Sequence, residues 1–299
     1  MDKLTSILAA VDFFPSSASA VAQALRIAAW NRSGVRAVHV VDTLVALEAD
    51  EIFTVMQESI RGELVEDARR RWTAFAAGVP GAAGLTFAVR VGSRVLEVLD
   101  EVRDAAADLL VMGTQGDSKP ETGAGPFAAQ CVREAPCDVL LVRKDKVGPF
   151  KHVVAAVDFS PTSRRALERA VRLCVQDNAT LDVVHAFDPP WYGVLGRIAG
   201  YSTPAEQDAY RQRLVKHLQE FCQPSAPGDS PGMSWVRPRF HLPETSSHGM
   251  GIVELAKSVQ ADLVVLGTRG RSSMKELLLG TTAARVVRAA ACSILAVKP

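Results

Sequence analysis

The residues whose types and spacing suit chemistry are Gly267-Thr268-Arg269-Gly270, followed after nine residues by Gly280-Thr281. They come directly after Ala261-Asp262-Leu263-Val264-Val265-Leu266, an apolar run that reads as a buried parallel strand. The residues from Thr281 to Arg288 read as a helix, so the glycines mark a strand-to-helix turn with a loop inside it. Glycine allows close backbone approach and positive φ. A helix start presents unpaired N–H groups and a partial positive charge, which suits phosphate. Arg269, Arg271 and Lys275 share the loop with one acid, Glu276. Together these features describe a cradle for a triphosphate.

The elements that must position this loop occur twice. Ile7-Leu8-Ala9-Ala10-Val11-Asp12-Phe13-Phe14-Pro15 returns as Val153-Val154-Ala155-Ala156-Val157-Asp158-Phe159-Ser160-Pro161. The strand around His39 returns around His185, the one ending in Gly113-Thr114 returns at Gly267-Thr268, and the one after Cys137 returns after Cys292. Blocks repeated in one order make the chain a tandem duplication. The division is expected at 1–146 and 150–299, with a polar Gly/Pro linker near Asp145–Pro149. Strands are predicted near 5–11, 36–42, 85–91, 108–113 and 138–143, then near 151–158, 180–187, 235–241, 262–267 and 292–297. Second-half helices are predicted near 161–177, 203–222, 247–260 and 281–290, and a long helical stretch near 49–77. This alternation gives an α/β fold: two doubly wound units, each a mostly parallel sheet with helices on both faces.

Composition narrows the function classes. The 299 residues carry 34 basic and 33 acidic side chains, a formal net charge of +1, which argues against a general nucleic-acid or membrane-surface binder. Apolar content of 48% is ample for two cores, and no apolar stretch reaches the roughly 18 residues that span a bilayer. The start Met1-Asp2-Lys3-Leu4 lacks a signal-peptide pattern, and five scattered cysteines form no disulfide framework. A cytoplasmic, reduced setting is expected.

In open α/β sheets, ligands bind beyond the carboxyl ends of strands where the chain turns to opposite faces. Asp158 ends the first strand of the second half and Gly267 the fourth. If those strands are neighbours, the carboxylate faces the glycine loop and can accept from a ribose hydroxyl or a base amine. Val157-Asp158-Phe159-Ser160 with Gly267-x2-Gly270-x9-Gly280-Thr281 resembles the ATP-binding subclass of the universal stress protein family. The resemblance covers the whole chain as two copies. It implies five strands in the order 3-2-1-4-5 and an adenine nucleotide, ATP, over strands one and four. It places Asp158 at the nucleoside and the Ala186 backbone at adenine. Gly267, Gly270, Gly280, Thr281 and Thr282 would hold ribose and phosphates, with Ala156, Leu266 and Arg269 beside them. Magnesium would ride on the phosphates with few protein ligands. The resemblance also implies that the last strands of the two copies pair about a pseudo-twofold axis; a homodimer of whole chains stays open, and protein partners are unknown.

The first copy departs from the pattern. Its counterparts are Asp12, Val40, Gly113, Gly116 and Gly125, but only eight residues separate Gly116 from Gly125. Pro126 and Phe127 then replace Thr281 and Thr282. Proline offers no N–H, and each charge-assisted hydrogen bond lost is worth roughly 1.5–3 kcal/mol. Asp117 and Glu121 oppose only Lys119, and Phe14 replaces the natural N-cap Ser160. This copy is expected to keep the fold and bind triphosphate poorly or not at all.

Other features carry less. His39 and His185 read as satisfied strand-end histidines rather than catalytic bases. His217, Cys222, His241 and His248 lack zinc-site spacing. Gly249-Met250-Gly251 begins the third helix and lacks the third glycine of a dinucleotide fingerprint. Pro189-Pro190-Trp191-Tyr192-Gly193 opens a loop that reads as packed or as a lid, and the stretch from Gln223 to Gly232 reads as a flexible connection. Three functions fit: an ATP-binding regulator or sensor of stress, a slow ATPase, or an interaction protein that no longer uses nucleotide.

Overall fold

The computed structural model describes residues 4–42, 57–115, 122–192, 203–223, 236–270 and 279–299. Gly116, the first-copy charges Asp117, Lys119 and Glu121, and the second-copy charges Arg271, Lys275 and Glu276 lie outside them. So do most of the 193–202 loop and of the connection after Gln223. The chain divides into Asp2–Pro149 and Phe150–Pro299.

In the first unit the strands are β1 (Ser6–Ala10), β2 (Gly34–Asp42), β3 (Thr86–Gly92), β4 (Leu109–Gly113) and β5 (Asp138–Val142). The helices are α1 (Pro15–Asn31), α2 (Gln57–Ala77), α3 (Arg94–Asp104) and α4 (Pro126–Glu134). In the second unit the strands are β6 (His152–Ala156), β7 (Thr180–Val184), β8 (Arg239–His241), β9 (Leu263–Gly267) and β10 (Ser293–Val297). Its helices are α5 (Pro161–Asp177), α6 (Pro204–Phe221), α7 (His248–Ser258) and α8 (Thr281–Ala289). Within each unit every strand pair is parallel, in the order 3-2-1-4-5. The predicted elements are present with ends shifted by up to four residues, apart from the stretch near 49–77, which is described from Gln57 as α2, its first residues lying outside the described part. The largest difference is β8, which begins at Arg239 rather than near 235; residues 224–235 lie outside the described part.

Register between the central strands is held by a repeated aspartate. Asp108 accepts the Thr5 and Ser6 N–H groups at 2.6 and 3.1 Å, and Asp262 accepts those of Lys151 and His152 at 2.9 and 3.1 Å. Both therefore sit at the foot of the sheet and anchor β1 to β4 and β6 to β9. The α5 helix shows how local signals set an element. Ser160 is its N-cap, accepting the Ser163 N–H at 3.1 Å, Pro161 opens its first turn, and Asn178 closes it in the left-handed conformation. Ala166, Leu167, Ala170, Val171 and Cys174 recur at helical spacing and are buried. In α1 the N-cap position is Phe14, with no side-chain cap.

Candidate functional site

Strands β6 and β9 are neighbours, pairing Ala156 with Leu266, so the turns that follow them leave the sheet side by side. The turn after β6 is strained. Phe159 has φ 63°, a region that bulky side chains rarely adopt and that costs on the order of 1–3 kcal/mol. Its ring is fixed by packing: it stacks on His217 at 4.2 Å and tilts against His185 at 4.4 Å, with Phe221 edge-on at 5.5 Å. His185 Nδ1 meets the Val157 carbonyl oxygen at 2.8 Å, tying the end of β7 to the same turn. The turn leaves Asp158 beyond the strand end, with Oδ1 accepting the Ser160 N–H at 3.1 Å.

The turn after β9 is held open by backbone bonds. Thr268 N–H donates to the Val297 carbonyl at 2.8 Å, and Gly280 N–H donates to the Thr268 carbonyl at 2.8 Å. The loop thus leaves and returns at one point. Gly280 is the N-cap of α8 and offers no side-chain cap, so the first N–H groups of the helix are left uncapped by any side chain. The site glycines are used for close approach. Gly280 has φ −59°, and none of Gly267, Gly270 and Gly280 has positive φ; the conformational freedom expected of them is not what the turn uses. An added Cβ on Gly267 would come within 2.9 Å of Thr162 Cγ2, and one on Gly270 within 2.6 Å of Asp158 Oδ2. In the first copy it is Gly123 that adopts positive φ, at 76°.

These turns enclose a cleft of about 340 Å³. Ala156, Asp158, Ala186, Leu266, Gly267, Arg269, Gly270, Gly280, Thr281 and Thr282, the candidate residues of the second half, all border it. Sequence reasoning missed His248 and Ile252, which border it from α7. The signal available was Gly249-Met250-Gly251. A Cβ on Gly249 would lie 2.8 Å from Arg285 Cβ and 3.0 Å from the Thr282 carbonyl oxygen, so this glycine seats α7 directly on the first turns of α8, while one on Gly251 would meet Thr245 Cγ2 at 2.7 Å.

Two of the residues weighed for zinc, His217 and His241, have other partners. His217 stacks on Phe159, and His241 Nε2 lies 2.6 Å from Asp182, whose carboxylate also takes both arms of Arg239. Burial pushes the Cys222 thiol up to about 12. Among the described residues no three His, Cys, Asp or Glu side chains are placed to share a metal. His185 and His39 are the satisfied strand-end histidines expected, the latter with Nδ1 2.7 Å from the Val11 carbonyl. Burial, outweighing these hydrogen bonds, holds the pKa of both below the ordinary histidine value. Trp191 packs edge-on against Tyr210 at 5.7 Å with Arg211 over its ring at 4.8 Å, so the loop is packed as far as Trp191, and Tyr192 is exposed.

The first copy repeats the closure but not the surroundings. Gly125 N–H donates to the Thr114 carbonyl at 2.8 Å, and β4 leads into the same turn. Asp12 is engaged within its own unit: Ser17 Oγ donates to its Oδ1, and the Phe14 N–H reaches the same oxygen at 3.1 Å. In the second copy the equivalent Ser163 hydroxyl turns instead to the Ser160 carbonyl oxygen at 3.0 Å. Ser16 Oγ donates to the Gln115 carbonyl, lying across the turn after β4. Val40 lies in β2, at the strand position before Val41, and Pro126 opens α4.

Among the described residues no helix is long and apolar enough to cross a membrane. The chain aligns with "Universal stress protein A homolog 1" of Coxiella burnetii, 30% identical over 159 residues, covering 50% of this chain and 96% of that protein. With "Universal stress protein E homolog" of Haemophilus influenzae it is 26% identical over 219 residues, 67% of this chain and 65% of that protein. Its fold matches a solved universal stress protein from Archaeoglobus fulgidus with a TM-score of 0.65 at 16% identity, covering 98% of this chain and 96% of that one. A functionally unknown protein from Pseudomonas aeruginosa matches equally well, TM-score 0.65 at 18% identity, covering 99% and 93%. The universal stress protein family model matches residues 3–143 and again 149–298. The chain therefore belongs to the universal stress protein family, as a tandem of two family units.

Proposed function

We propose that the second unit binds one ATP, or a related adenine nucleotide, in the cleft between β6 and β9, and that the chain acts through this site as a stress-response regulator or sensor. One observation carries the reading: the Asp158 carboxylate, the glycine-lined turn and the uncapped start of α8 meet around one cleft. Its volume, about 340 Å³, falls within the roughly 300–1,000 Å³ usual for small-molecule sites.

The residues present fit the ligand's two ends. Gly270 and Gly280 leave room that a side chain would fill, and the N–H groups of Thr281, Thr282 and Ala283 open α8, where the helix dipole favours negative charge. The hydroxyls of Thr281 and Thr282 add donors, and Arg269 adds charge at the rim. Asp158 faces the ribose side, and the backbone at Ala186 borders the base side. A magnesium ion would be carried by the phosphates. Binding calls on no described side chain as a base for activating water, so the binding role comes first and any hydrolysis would be slow.

The test is the nucleotide released on denaturing the freshly purified chain, identified and counted by chromatography. About one adenine nucleotide per chain is expected. Empty extracts, together with no thermal shift on adding ATP and magnesium, would overturn the reading; a ligand at a hundredfold over Kd adds about 2.7 kcal/mol.

A further inference from the structure

The first residue of the helix after the third strand differs between the two copies in a way that bears on the ligand. In the first unit it is Arg94, whose Nε pairs with Asp42 at 2.8 Å. In the second it is His248, which borders the cleft while its Nε2 is shut off from water and has no hydrogen-bond partner among the described residues. A buried polar atom left without a partner costs about 1–3 kcal/mol. Such an atom calls for an explanation, and beside a cleft a bound ligand is one.

The surroundings say which end of the ligand that is. His185 and Ala186 follow β7 directly and border the cleft together with His248. Asp158 and His217 act on His185 from β6 and α6. In the proposed pose this is the base side of the cleft, where the backbone at Ala186 meets adenine. The α7 start is also firmly set: Arg285 Nη1 donates to Ser247 Oγ at 2.6 Å, and Gly249 packs against α8. Only the imidazole has freedom. Turning it about its Cβ–Cγ bond, a broad torsion, breaks no hydrogen bond at Nε2.

We infer that His248 is the side chain that reads the nucleobase, its Nε2 turning into the cleft to hydrogen-bond a polar atom on the base edge. The inference rests on the adenine-nucleotide reading of this cleft and adds the residue that sets base preference. Neutral imidazole has one ring nitrogen that donates and one that accepts, so the partner on adenine is the 6-amino group or N7, the polar atoms of one base edge.

The experiment measures calorimetric affinities of the full chain for three magnesium-loaded ligands: ATP, purine riboside triphosphate, which lacks the amino group, and 7-deaza-ATP, which lacks the ring nitrogen N7. The unaltered chain is expected to prefer ATP by about tenfold over at least one analogue. His248→Phe is expected to abolish that preference by weakening ATP alone, and His248→Gln to restore part of it. If the Phe variant does not fold, His248→Ala takes its place with the same expectation. Equal affinity of the unaltered chain for all three ligands overturns the inference. So does equal weakening of all three by the Phe or Ala variant, which would mark His248 as packing. An unaltered chain that binds none of the three overturns the nucleotide reading itself, and the inference with it.

Discussion

Gly270 lies against Asp158 so closely that a Cβ added to it would stand 2.6 Å from the Asp158 Oδ2 oxygen. The loop after β9 and the carboxylate after β6 are therefore one construction. The glycine is small so that the carboxylate can stay where it is, and the carboxylate is held from its other side by the Ser160 N–H.

Gly270→Ala separates binding from folding. The clash falls on the far end of a side chain, which can swing away, so the melting temperature should change by only a few degrees. The displaced carboxylate then leaves the cleft, and ATP affinity should fall about tenfold, some 1.4 kcal/mol. Gly280→Ala is the control for stability. Its Cβ would come no nearer than 3.4 Å to the Thr268 carbonyl oxygen, at a φ of −59° that alanine adopts freely, and the fold should hold within about 0.5 kcal/mol. Calorimetry and thermal melts on both variants check the contrast; equal binding by Gly270→Ala and the unaltered chain would remove Asp158 from the site.

Gly267 and Gly113 should behave differently from Gly270, because what crowds them belongs to a helix start. A Cβ on Gly267 would meet Thr162 Cγ2 at 2.9 Å and the Thr162 carbonyl carbon at 3.3 Å. On Gly113 it would meet Ser16 Cβ at 2.7 Å and the Ser16 carbonyl carbon at 3.2 Å. Backbone gives way less readily than a side-chain tip. Each alanine variant should lose about 1–3 kcal/mol in urea unfolding, with Gly113→Ala the worse of the two.

The two carboxylates predict an asymmetric stoichiometry. Asp12 accepts from the Ser17 hydroxyl of its own unit, whereas the Ser163 hydroxyl leaves Asp158 for the Ser160 carbonyl oxygen. Asp158→Asn should weaken ATP about tenfold or more. Asp12→Asn should leave both the affinity and the count of one nucleotide per chain unchanged. Two nucleotides per chain by equilibrium dialysis would show that the first copy is competent.

Much of this was legible in the chain itself, for identifiable reasons. The alternation of strands and helices follows from the apolar runs, among them those ending near Asp158 and Gly267, because period and position survive duplication even where residues do not; the strand order came only with the family resemblance. The reason for the glycines was not legible: a spacing pattern cannot distinguish positive φ from close approach, and the neighbours that crowd Gly267 and Gly270 come from α5 and β6. The role of Phe159 was not legible either, because residue type does not reveal backbone conformation; only the structure shows the φ of 63° at the turn that carries the carboxylate. His248 was set aside with the zinc candidates, since a lone histidine at a helix start has no spacing by which to announce a role.

The N-cap contrast predicts a stability difference that needs no ligand. Ser160 Oγ satisfies the Ser163 N–H at 3.1 Å in a buried turn, while Phe14 gives α1 no such cap. Ser160→Ala should cost about 1 kcal/mol in chemical unfolding, within the 0.5–2 kcal/mol range of such caps. A loss below about 0.3 kcal/mol would mean that Pro161 alone sets the start of α5.

Stability should also fall on acidification in a window set by His39 and His185. Burial is the largest influence on each and holds its pKa below the ordinary value, against the raising effect of the hydrogen bond to Val11 or Val157. The folded chain thus keeps these rings neutral where the unfolded chain protonates them. Near pH 7.5 both states are neutral and the contribution is fully present. Below the unfolded value of about 6.5 the unfolded state binds the extra protons, and stability declines until the folded pKa is passed. Urea unfolding midpoints at pH 7.5 and 5.5 should show the decline, and His185→Gln, which cannot take a proton, should reduce the difference between them. A midpoint gap that is unchanged in the variant would mean that His185 protonates equally in both states, and that the contact with Val157 offsets its burial.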